Sequence, residues 1–90
     1  MGQETVLFKS EERKDLPGVV EFLRQLADKL AQNEVTLRQG ANELKLSIPN
    51  QVVLEIKVEE EAKQNSSKRS LEIEIEWTEG EAGIEGVSLG

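Results

Sequence analysis

The apolar positions of the chain follow two periods, 3.6 in the first third and 2 in the rest. From Leu16 they fall at Leu16, Val19, Val20, Phe22, Leu23, Leu26, Ala27 and Leu30. That is one stripe of an α-helix, widened by Phe22, with Glu21, Arg24, Gln25, Asp28 and Lys29 on the wet side. Asp15 stands at the N-cap position, where its carboxylate can accept from orphan backbone N–H groups. Pro17 suits a first turn, because its missing N–H has no intrahelical partner there. Gly18 weakens the helix start, and Asn33 marks its end. Arg24 with Asp28, and Gln25 with Lys29, are spaced to pair along the wet side.

Beyond Glu34 the period is two, which predicts strands with one buried face. Val35 and Leu37 alternate with Thr36 and Arg38. Leu44, Leu46 and Ile48 alternate with Lys45 and Ser47. Val52, Leu54, Ile56 and Val58 alternate with Val53, Glu55, Lys57 and Glu59. The longest unbroken alternation closes the series: Leu71, Ile73, Ile75 and Trp77 point one way, and Glu72, Glu74 and Glu76 the other. Gln39-Gly40-Ala41-Asn42 and Pro49-Asn50 are turns. The polar run 60–69 holds Asn65-Ser66-Ser67, a flexible hairpin loop. That tripeptide also matches the N-glycosylation acceptor, a pattern common by chance. Ahead of the helix, Glu4–Lys9 places Val6 and Phe8 on one face with Leu7 opposite, and reads as a further strand.

The order is therefore β-α-β-β-β-β. It predicts an α+β fold, a two-layer sandwich of one helix packed on a mainly antiparallel sheet of about five strands. The first strand is expected either parallel to the second or antiparallel beside the fifth. Residues 1–79 are expected to form a single α+β domain. Residues 80–90, Gly-rich without a period, are expected to be a flexible C-terminal tail.

Composition narrows the chemistry. Of 90 residues only two Phe and one Trp are aromatic, so the core must be aliphatic. There is no Cys, His or Tyr. Disulfides, thiolate metal sites, a Ser-His-Asp triad and His-containing zinc sites are excluded from this chain alone. Carboxylates, Lys, Arg, Ser and Thr remain. Eighteen acidic residues guarantee chance carboxylate pairs, so a carboxylate-based enzyme is a distant alternative and no cofactor is expected. The net charge of -7 disfavours nucleic acid, which is bound through Lys and Arg, and favours a cationic partner. No apolar run approaches the roughly 18 residues of a membrane span. The segment Met1–Phe8 lacks the basic and apolar regions of a signal peptide. The expectation is a cytoplasmic protein with no membrane partner.

The candidate surface is the wet face of the last two strands. Glu55, Lys57 and Glu59 share it with Glu72, Glu74 and Glu76, and Arg38 and Lys45 are expected toward its other side. Its ordinary role is a solvated face that discourages edge pairing. Its functional role is a docking surface for a basic protein or peptide. A metal site is not expected, since calcium wants six to eight oxygens converging on a loop and no Asp-x-Asp-x-Asp-Gly loop is present. Trp77, on the apolar face at a strand end, is expected to lid the helix–sheet core with its indole N–H on a backbone carbonyl or water. The alternative is a half-exposed anchor for a partner.

The run Ser70-Leu71-Glu72-Ile73-Glu74-Ile75-Glu76-Trp77 resembles the strand for which the amphi-Trp domain family is named. Val20-Glu21-Phe22-Leu23-Arg24-Gln25-Leu26-Ala27-Asp28-Lys29-Leu30 resembles the family's helix. Val35-Thr36-Leu37 and Val53-Leu54-Glu55 resemble later strands, and the likeness spans roughly residues 4 to 79. Pro17-Gly18 departs from it at the helix start. The resemblance implies a small prokaryotic domain with no known activity, substrate or catalytic residue. The function expected is a non-catalytic protein-binding or adaptor module, monomeric or weakly dimeric, using its acidic sheet face or a sheet edge. The alternative is a homo-oligomeric structural protein pairing by an edge strand.

Overall fold

The computed structural model describes residues 2–79. The chain divides into two compact units, Met1–Asn50 and Gln51–Gly90. The expected tail 80–90 lies outside the described residues.

In the first unit, helix α1 spans Leu16–Leu30. The Asp15 carboxylate accepts from the Gly18 N–H at 2.9 Å, which satisfies one orphan donor of the first turn. A Cβ at position 18 would lie 2.8 Å from Asp15 Oδ1 and 2.9 Å from Lys14 Cγ. Gly18 is thus where the cap needs room, and not only a weak helix former. On the wet side Gln25 Nε2 donates to Glu21 Oε1 at 3.2 Å, so Gln25 pairs toward the N-terminus and not with Lys29.

The helix ends at Leu30 with Ala31, right-handed, as its C-cap, and a left-handed residue follows two places on. Asn33 has φ 60, a conformation that Asn tolerates better than other side-chain-bearing residues. Its carbonyl accepts from the Ile48 N–H at 2.8 Å. Its side-chain NH2 donates to the Ile48 carbonyl at 2.9 Å and to Asn50 Oδ1 at 2.7 Å.

Strands β1 (Glu34–Gln39) and β2 (Asn42–Ser47) pair antiparallel, with Val35 opposite Leu46 and Leu37 opposite Leu44. The two-residue loop between them needs Gly40, at φ 58. Helix α1 packs on β1. Val35 is buried at 5% exposure; Val19, Leu26, Leu30, Leu37, Leu44 and Leu46 are half-buried around this small core.

In the second unit, β3 (Val53–Ala62) and β4 (Ser67–Glu76) form a ten-rung antiparallel hairpin. The Lys63 N–H donates to the Ser66 carbonyl at 2.8 Å and closes the loop. The strands therefore run further into the polar stretch 60–69 than the hydrophobic pattern indicates, because Glu60–Arg69 and Glu61–Lys68 form opposite-charge rungs there.

The α+β class and the antiparallel pairing hold. Two finer expectations are corrected. Glu4–Lys9 forms no strand, so there are four strands among the described residues and not five. Val6 and Leu7, on opposite faces of that run, are 74% and 70% exposed, so no one-sided burial specifies a register. Phe8 alone is half-buried, beside a depression of about 680 Å³ that Val19, Phe22 and Leu37 also line. The strands also form two two-stranded sheets, β1–β2 and β3–β4, in place of one sheet under a helix. After β2, both backbone polar groups of Ile48 are taken by Asn33, and Pro49 brings no N–H. The chain is tied to the helix terminus at the point where a tight turn would have to begin.

Replacing Asn33 tests that tie. Asn33→Ala removes two side-chain hydrogen bonds and places a Cβ residue less tolerant of φ 60 at the helix end, and should cost about 1–3 kcal/mol. Asn33→Gly loses the same bonds without the backbone strain and should cost less. Urea unfolding of both variants checks the order; equal midpoints would mean the left-handed conformation contributes nothing.

Candidate interaction surface

Register decides what the acidic face of β3–β4 looks like. Side chains alternate across a strand, so Glu55, Lys57 and Glu59 share one face with Glu72, Glu74 and Glu76. Glu55 stands opposite Glu74, and Lys57 opposite Glu72. Lys57 Nζ lies 3.0 Å from Glu59 and 3.6 Å from Glu72. One ammonium therefore bridges carboxylates along its own strand and across the ladder. These groups are all exposed, so the pairs are weak and salt-screened. They orient Lys57 more than they stabilise the hairpin.

Among the described residues, no salt bridge reaches the other end of the face. Glu55, Glu74 and Glu76 each bring a carboxylate oxygen within 4.8 Å of the others. A protonated Glu74 can donate to the neighbouring Glu76 carboxylate, while the Glu76 charge repels an ionised Glu74, and together these push Glu74 above the ordinary glutamate range. Glu59 is held below that range by its hydrogen bond to Lys57 and the charge of Lys57. Lys57 in turn is raised above the usual lysine value by Glu59 first and Glu72 second. A shallow depression of about 360 Å³ lies over Glu55, Lys57, Glu72, Ile73 and Glu74.

Five of the residues singled out from sequence thus come together: Glu55, Lys57, Glu72, Glu74 and Glu76. Trp77 does not join them. It follows the last rung, is half-buried, and by alternation belongs to the opposite face. Its indole N–H donates to Glu79 Oε1 at 3.0 Å and not to a backbone carbonyl. Arg38 and Lys45 belong to the β1–β2 sheet, where they pair with Glu43 and Glu34 at 3.3 Å each. The alternation places Glu59 on the face. It does not reveal that Glu59 is the nearer partner of Lys57; the same-face spacing Lys57-x-Glu59 is the only signal.

The family model of the Amphi-Trp domain matches residues 1–89, nearly the whole chain. The chain belongs to the Amphi-Trp domain family. No curated protein and no solved structure matches it significantly. In this Amphi-Trp domain the alternating acidic and apolar strand is β4, and its Trp sits one residue past the ladder. Among the described residues, no helix is long and apolar enough to cross a membrane.

The pKa directions set a pH dependence. The raised Glu74 favours the folded state while protonated. That contribution is complete below the ordinary glutamate value and is lost as pH rises through the raised one. Glu59 acts in the opposite sense: its contribution is present above the ordinary glutamate value and is lost as pH falls through the lowered one. Glu74→Gln should therefore melt above the parent at neutral pH, with the gap closing in acid below the ordinary glutamate range. Thermal melts at the two pH values check this. Coincident melts at neutral pH would show that Glu76 does not strain Glu74.

Proposed function

We propose that this Amphi-Trp domain is a non-catalytic protein-binding module that offers the acidic face of β3–β4 to a basic protein or peptide. One observation supports the reading above the others. Glu55, Glu74 and Glu76 each bring a carboxylate oxygen within 4.8 Å of the others, and Glu55 stands directly opposite Glu74, although like charges opposite one another on a hairpin oppose its formation. A lysine or arginine side chain laid among them would replace that repulsion with charge-assisted hydrogen bonds. The depression over Glu55 and Glu74 is open enough to admit one. Lys57, turned toward Glu59 and Glu72, leaves the other three carboxylates free to accept. The lack of His, Cys and Tyr supports a binding role over a catalytic one. Cytoplasmic residence accords with a Cys-free chain.

A second reading is a structural homo-oligomer pairing by an edge strand. It draws on the unpaired edge that each strand of a two-stranded sheet presents. The charged residues along β3 and β4 oppose it, since edge pairing would bring like-charged strands side by side.

Titration with a decalysine peptide, followed calorimetrically at low and high salt, tests the docking face. Binding should weaken with salt. The triple variant Glu55→Gln, Glu74→Gln, Glu76→Gln should lose at least about tenfold in affinity, because three charge-assisted contacts are removed together. Unchanged affinity in the variant would remove this face from consideration.

A further inference from the structure

We draw no further inference here: the strongest candidate, the aliphatic face of β3–β4 formed by Leu54, Ile56, Val58, Leu71 and Ile73, is an unpartnered apolar face, and nothing in the structure shows what covers it.

Discussion

Everything in the second unit depends on the alignment of β3 with β4. Side chains alternate with a period of two, so a slip of one residue would send Leu54, Ile56 and Val58 to the face now held by Glu72, Glu74 and Glu76. The aliphatic rungs oppose such a slip, since each sets two branched side chains against one another. The Lys63–Ser66 loop sets the count from the other end. Given this one alignment, Lys57 must face Glu72, Glu55 must face Glu74, and a charged face and an aliphatic face must stand back to back. The acidic site needs no strained residue or special loop; it is a property of register.

The first unit is organised by hydrogen bonds at a helix end. Asn33 combines a left-handed backbone with three bonds that reach Ile48 and Asn50. Orphan groups at the end of a helix are ordinarily met locally or by water. Here the left-handed residue in the turn after α1 also anchors the segment leaving β2, so that turn and the strand end are joined by one side chain. At the other end of the helix the cap formed by Asp15 depends on the missing side chain of Gly18.

Local features were the legible ones. The helical stripe from Leu16 to Leu30, the Asp15 cap and the turn at Gly40 all follow from residue type and spacing, and the structure has each; the stop comes earlier than Asn33, at Leu30, with Asn33 as the left-handed residue of the turn that follows. The faces of β3 and β4 were legible for the same reason, because alternation assigns a face without knowledge of the partner strand. What escaped depends on pairing at a distance. Val6, Leu7 and Phe8 have the composition of a strand, but β-propensity describes a fit to neighbours and this run finds no ladder. The count of sheets is recorded by no pattern of apolar residues, nor is the pair of bonds that Asn33 and Ile48 exchange after β2. The partner of Lys57 needed the register, and the partner of Trp77 needed the position of Glu79, a residue two places on with no periodic signal.

A sheet of only two strands has a further consequence. In an antiparallel pair the hydrogen-bonded residues alternate with non-bonded ones, so every second amide of β3 and of β4 points away from its partner. Along Val53–Ala62 and Ser67–Glu76, protection from solvent deuterium is thus built to rise and fall with a two-residue beat. Anything that adds to an edge would fill the gaps in that beat on one strand only. Anything that covers a face would leave the beat intact and slow it as a whole. The hairpin carries in its own backbone a record of which side is occupied.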